Sequence, residues 1–296
     1  LLTGSWIIDN ESVDERLDRY LVQQTHASRQ TIQSLLQQGI VSIDGVSITR
    51  PAYRLKAGQQ LTISPYTPPV LSSSPTLPPI QIVFEDPWLV VINKPIGWLS
   101  HPPHEVALPS VVTWAVSQWP SMLGVGPPYR SGIVHRLDQY TEGLMVLAKT
   151  PDALADMQAL FRDRQIKKTY WALVQSNVLS DTLTITQPIM RSPKKRHTMM
   201  VHPDGKPAIT EIKVLYRYGS MTLVEAQPLT GRTHQIRVHL GFIGHPIIGD
   251  PLYGTAGHHG GQLLQAGQLT FDHPMTHQPV TVSLPLSPRL QRHPLG

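Results

Sequence analysis

The residues best suited to chemistry are His135, Arg136, Leu137 and Asp138, within Ser131-Gly-Ile-Val-His-Arg-Leu-Asp-Gln-Tyr-Thr-Glu-Gly-Leu-Met-Val-Leu-Ala-Lys149. Arg136 and Asp138 stand two apart, so in an extended segment they point the same way. Gly132 and Gly143 bracket them, and the apolar run Leu144 to Ala148 is short enough for a buried strand. A carboxylate held at the mouth of a strand beside cations is a common way to build a nucleophile. An Arg–Asp pair that only pins a loop has the same signature, and these residues alone leave both readings open. A second stretch, Lys167-Lys168-Thr169-Tyr170, opens the strand-like run Trp171 to Val174. Tyr170 there reads equally as an amphipathic core residue. A third stretch is Thr230-Gly-Arg-Thr-His-Gln-Ile-Arg-Val-His-Leu240, where Gly231 suits a tight strand-to-helix turn. Helical spacing puts Arg232 and Ile236 on one face and Arg237 one step round. A helix start rich in cations and free N–H groups can hold an anion.

Several elements must position these groups. Strands are expected at Ile80–Phe84 and Leu89–Asn93, a short helix at Val111–Trp119, and an amphipathic helix from Asp152 to Arg164 with Leu154, Met157, Leu160 and Phe161 inward. Further strands are expected at 212–216, 221–229, 269–271 and 280–284. His101-Pro-Pro-His104 reads as a rigid polar loop, and Arg191 to His197 as a basic one. Ahead of them, Ser12-Val-Asp-Glu15 reads as a capping box, and Val13, Leu17, Tyr20 and Leu21 share a helical face. Ser28 is a second N-cap candidate, and Gly39 ends the next helix. Val41 to Ile48 alternates around Asp44-Gly45, a hairpin signal, and Gly58 to Ile63 closes the unit. Between the halves, Tyr66 to Pro79 is rich in proline and serine and reads as an extended spacer.

Composition narrows the chemistry. The 296 residues suit one large domain, or a large and a small one, and 40% apolar content supports a proper core. The absence of cysteine excludes disulfides, thiolate zinc sites and cysteine nucleophiles, and fits a reducing compartment such as the cytoplasm. No apolar run approaches the roughly 20 residues of a membrane span. Asp9, Glu11, Asp14 and Glu15 fall where a signal peptide's apolar segment would lie, so none is expected. Residues 1–65 balance six Lys/Arg against six Asp/Glu, so the remainder supplies the whole net charge of +5. The excess concentrates between 162 and 213, as expected of phosphate contact. Fourteen histidines raise the question of a metal, but His234 and His239 are five apart, not the four that put two ligands on one helical face. His258-His259, in a Gly-rich loop, could bind metal adventitiously. No resident metal is expected.

Taken in order, these motifs resemble the pseudouridine synthases of the large-ribosomal-subunit type over about residues 80–286. The likeness rests on His135-Arg-Leu-Asp138 with Thr141 and Gly143, on Lys168-Thr-Tyr170, and on Gly231-Arg-Thr-His-Gln-Ile-Arg-Val-His239 continued by Gly244-His-Pro-Ile-Ile-Gly-Asp250. Asn93-Lys-Pro and Gly205-Lys-Pro-Ala also match. Residues 12–64, with Arg16-Leu-Asp18 early and Ser28-Arg29 opening the second helix, resemble the S4 RNA-binding module. The resemblance implies an α+β chain: an S4-like domain at 12–64, a linker at 65–79, and a catalytic domain at 80–296 with a mixed, mostly antiparallel sheet and a cleft between its halves. It implies conversion of uridine to pseudouridine in RNA, most naturally 23S-type ribosomal RNA, by a monomer without cofactor or metal. Asp138 is then the nucleophile or the proton acceptor of a glycal route, with both left open. Arg237 is its guanidinium partner and Arg232 the second choice, while Tyr170 stacks on the uracil. Arg136 fills the gap left by the flipped base, His135 orients the loop, and Lys168, Arg16 and Arg29 meet RNA. Glu142 and Tyr140 depart from the family pattern, adding a negative charge near the RNA path and a stacking surface. The rival reading is a non-catalytic RNA-binding ribosome assembly factor.

Overall fold

The computed structural model describes residues 3–25, 27, 29–37, 39–64, 78–102, 110–127, 129–254 and 260–291. The chain divides into two units, Leu1–Ser73 and Ser74–Gly296. The first contains β1 (Gly4–Ile7), α1 (Leu17–Thr25), α2 (Arg29–Gln37), β2 (Val41–Ile43), β3 (Val46–Ser47) and β4 (Gln60–Ile63). Its antiparallel sheet runs β1-β4-β2-β3. Leu17, Leu21, Ile32, Leu36, Val41 and Leu61 form the core under the two helices. Asp44 (φ 52°) and Gly45 (φ 80°) turn the β2–β3 hairpin, both left-handed as a type I′ turn needs.

One expectation here is corrected. Ser12 to Glu15 is no capping box: Asp14 sits at φ 64°, Glu15 N–H bonds to the Ser12 carbonyl, and α1 starts only at Leu17. A left-handed residue cannot stand in a first helical turn. The unit also gains β1, ahead of residue 12, because Gly4 to Ile7 pair with Ile63 to Gln60. Ser28, residues 65–77 of the expected linker, His104 and His258-His259 lie outside the described residues.

The second unit comprises β5 (Gln81–Glu85), β6 (Leu89–Lys94), α3 (Val111–Gln118), β7 (Glu142–Ala148), α4 (Pro151–Arg162), β8 (Lys167–Gln175), β9 (Thr182–Ile185), β10 (Ile189–Arg191), β11 (Met199–Val201), β12 (Thr210–Arg217), β13 (Met221–Pro228), α5 (Gln235–Phe242), β14 (Leu264–Asp272), β15 (Pro279–Ser283) and α6 (Pro288–Gln291). Among the described residues one nine-stranded sheet dominates, in the order β5-β6-β7-β14-β8-β13-β12-β9, with β15 on β14. Every pairing is antiparallel except β7 with β14. β10 and β11 form a separate hairpin around the basic loop.

The continuous apolar run of β7 follows from burial on both faces. Leu144, Val146 and Ala148 meet Ala153, Leu154 and Met157 of α4, whereas Met145 and Leu147 meet Val111, Val112 and Ala115 of α3. In the other half, Ile236 and Leu240 of α5 pack on Ala172, Val174 and Val224. β14 joins the halves, touching β7 through only two residue pairs, Gln265 with Glu142 and Ala266 with Gly143. That close approach needs a glycine. Gly143 lies at φ 112°, and a Cβ there would stand 2.7 Å from Ala266 N and closer still to its carbonyl oxygen. No described helix is long and apolar enough to cross a membrane.

Candidate active site

Asp138 stands just before β7, on a loop held from below by the segment that follows β6. Lys94 ends β6 fully buried, and its ammonium donates to the carbonyls of Pro95, Trp98 and Gln139 at 2.9–3.1 Å. Burial pushes its pKa down to about 7, with Asp138 and Glu142 pulling the other way. Ser100 both donates to the Leu137 carbonyl and accepts its N–H, and Gly97 N–H bonds to the Gln139 carbonyl. The residues either side of Asp138 are therefore fixed by backbone bonds. His135 ties the same loop to β7. Its Nε2 accepts the Val146 N–H at 3.0 Å, and its ring stacks on Phe161. Burial, reinforced by Lys168, lowers its pKa to about 3, in keeping with an unprotonated acceptor nitrogen.

Arg237 arrives from α5, 99 residues later. Its Nη1 donates to Asp138 Oδ2 at 2.8 Å, while Nε and Nη2 form a two-pronged pair with Asp250 at 2.7 and 2.9 Å. Arg237 is 4% exposed and Asp250 fully buried. Burial opposes the guanidinium's charge, but Asp250 and Asp138 outweigh it, and the Arg237 pKa rises above its ordinary value. Asp250 also accepts the N–H groups of Leu252 and Tyr253. The Tyr253 ring lies beneath the guanidinium, 5.1 Å from its carbon.

The third motif folds differently from its periodicity. α5 begins at Gln235, and His234 before it is left-handed at φ 56°. Gln235 explains this: its Oε1 accepts from the Thr230 hydroxyl and the Arg232 N–H, while its Nε2 donates to Ile209 and Thr210. These bonds hold 230–234 as a turn, so Arg232 and Ile236 share no helical face. Arg232 does not reach Asp138; its Nε bonds to the Pro207 carbonyl at 3.0 Å. His239 is used structurally, between Thr210 and Gln187.

Around Asp138 lies a cavity of about 390 Å³, lined from one half of the sheet by Arg136, Asp138 and Thr141, and from the other by Tyr170, His234 and Arg237. Lys168 and Arg232 also reach its wall. Burial and the nearby Asp138 charge raise the Tyr170 pKa, so the phenol is neutral at physiological pH. Burial and Arg164 bring Lys168 down to about 8. Arg136 is exposed at the rim, with His101 Nε2 at 3.3 Å. Glu142 is not a free charge in an RNA path: it accepts from Ser287 and Arg289 at 2.9 and 3.2 Å. Tyr140 is 38% exposed and covers Gly261. In the small unit, Arg16 and Arg29 both bond the buried Asp18. His234, Tyr253 and Asp250 belong to the cluster although the sequence assigned them no role in it; His234 was weighed only as a metal ligand, and like Asp250 it stood within a motif.

The arrangement presents one carboxylate, gripped by a fixed guanidinium, opposite a neutral phenol in a pocket of nucleotide size. The sequence model described as RNA pseudouridylate synthase matches residues 88–241, and that of the S4 domain matches residues 15–61. An uncharacterised RNA pseudouridine synthase of Bacillus subtilis (strain 168) is 36% identical over 279 residues, covering 93% of this chain and 92% of that protein. A ribosomal large subunit pseudouridine synthase D of Zymomonas mobilis is 34% identical over 290 residues, covering 92% and 90%. Among solved structures, human RNA pseudouridylate synthase domain containing 1 superposes with a TM-score of 0.57 at 26% identity, over 72% of this chain and 86% of that one.

Proposed function

The chain belongs to the RNA pseudouridylate synthase family and isomerises uridine in RNA, and we propose that Asp138 carries the reaction on a uridine of large-subunit ribosomal RNA in the cytoplasm. The N1–C1′ bond of the nucleoside breaks, the uracil turns in the pocket, and C5 bonds to C1′. N1 gains a proton as C5 loses one, so nothing is left over. The observation that carries the assignment is the Arg237 bond to Oδ2 of Asp138, a cavity-lining residue whose Oδ1 that bond leaves clear of the guanidinium. That oxygen can attack the sugar or accept its proton. A bound, immobile guanidinium holds the carboxylate in one orientation without reorganising during the reaction.

Tyr170 supplies the flat face on which the uracil turns, and its neutral hydroxyl can relay the C5 proton. Arg136, exposed at the rim, enters the stack vacated by the target base, an exchange that offsets a few kcal/mol of unstacking. Lys168 and Arg232 hold phosphates at the cavity wall. In the small unit the Arg16 and Arg29 side chains remain 37% and 65% exposed while bonded to Asp18, so their outer faces can take RNA phosphates. The ribosomal assignment is supported by the relatives named for the large subunit.

The test is Asp138→Asn against wild type on large-subunit RNA from cells lacking this protein. Binding is expected to survive and modification to stop. If wild type leaves every uridine of that RNA unchanged, both protein-free and during assembly, the ribosomal assignment fails. If Asp138→Asn still turns over, the assignment of Asp138 fails.

A further inference from the structure

Arg237 occupies one oxygen of Asp138, and the other faces His234, whose Nε2 lies 3.7 Å from Oδ1. That separation is too long for a direct hydrogen bond. An oxygen about 2.8 Å from each atom can still bridge them, at a narrow angle of roughly 80°, and both side chains line the same cavity.

The imidazole proton can be placed from its neighbours. Tyr253 Oη accepts the Met199 N–H at 2.7 Å and lies 2.7 Å from His234 Nδ1. Burial raises the Tyr253 pKa, so the phenol keeps its proton, and with Met199 N–H already given to its oxygen we take Nδ1 as the acceptor of that proton. Burial also lowers the His234 pKa, outweighing the pull of Asp138, so the ring is neutral. Its one hydrogen is therefore on Nε2, on the side of Asp138.

A donor and a carboxylate oxygen at this spacing select a group that accepts from one and donates to the other. A carbonyl would satisfy only His234, an N–H group only Asp138, and a phosphate would be repelled by the carboxylate. A hydroxyl satisfies both. Where the bond to be broken is at C1′, the adjacent hydroxyl is the ribose 2′-hydroxyl. We propose that His234 recognises the ribose of the target nucleotide: Nε2–H donates to the 2′-hydroxyl, which donates in turn to Asp138 Oδ1. The pair thereby distinguishes RNA from DNA at the reacting nucleotide. This rests on the reading of Asp138 given above.

The full chain is tested on two RNAs differing only at the mapped target, one with uridine and one with 2′-deoxyuridine. His234→Asn tolerates the left-handed backbone and leaves no atom where Nε2 stood. His234→Gln carries an amide N–H close to that point. The readout is the ratio between the two RNAs, in single-turnover rate and in equilibrium affinity. Wild type is expected to prefer the ribose form by about tenfold in at least one measure. His234→Asn is expected to bring that ratio close to one through loss on the ribose form alone, and His234→Gln to restore part of it. Tyr253→Phe, which removes the group fixing the proton on Nε2, is expected to narrow the ratio too. A wild-type ratio of one overturns the proposal. So does a His234→Asn ratio equal to wild type, or an equal loss on both RNAs. Turnover by Asp138→Asn would instead remove the underlying reading of Asp138, a separate failure.

Discussion

Arg237 is shared unequally, with two bonds to Asp250 and one to Asp138. The fully buried Asp250 sets the plane of the guanidinium, and Asp138 meets what remains. Asp250→Ala leaves a buried guanidinium short of a counter-charge and is expected to cost about 3–5 kcal/mol in denaturant unfolding. Asp138→Asn keeps Arg237 paired to Asp250 and is expected to cost less than about 1 kcal/mol while stopping turnover. Equal destabilisation by the two would contradict this division of roles. His135 gives a pH signature. Its folded pKa of about 3 lies below the ordinary 6.5, so the unfolded chain binds more protons between those values. Stability from this group is present above pH 6.5 and is lost as pH falls toward 3. His135→Gln is expected to flatten the fall in melting temperature between pH 6.5 and 4; an unchanged slope would show that the ring is not the group responsible. Much of the residue scale was legible in sequence: Asp138, Tyr170 and Arg237 stand in recognisable motifs, and the structure brings them to one cavity. Arg232 was not, because its partner Pro207 and the Gln235 side chain that folds the turn are invisible to helical periodicity.

At the scale of elements, the narrow seam between β7 and β14 carries the geometry of the site. Gly143→Ala is expected to lower the melting temperature sharply, since its methyl would press on the Ala266 backbone from a left-handed position. Gly219→Ala shares the positive φ, at 72°, but opens onto empty space, so it isolates the conformational part. A similar loss in both would assign the effect to φ alone. Short continuous apolar runs made β6 and β7 readable, and amphipathic spacing did the same for α4. β14 was readable only from Leu269 onward, because Gln265 and Gly267 break the apolar pattern at the point where it enters the sheet. Gly267 is required there by Trp171, whose ring atoms would stand 2.5 Å from an added Cβ. β1 escaped notice because two of its four residues are exposed, including Ile7 at 75%.

For the whole molecule, charge and topology matter more than any single contact. The loop between β10 and β11 exposes Lys194, Lys195 and Arg196. Replacing all three with alanine is expected to weaken RNA binding and reduce the slope of log affinity against log salt by about 2, with turnover at saturating RNA unchanged. A slope equal to wild type would remove this loop from the RNA path. The order of the sheet has another consequence. β14 lies between β7 and β8 yet follows them by about a hundred residues, so during synthesis both neighbours emerge from the ribosome with unpaired borders and wait for the strand that closes them. A chain halted before Leu264 would be no slow enzyme but a sticky fragment, its raw flanks open to any passing strand.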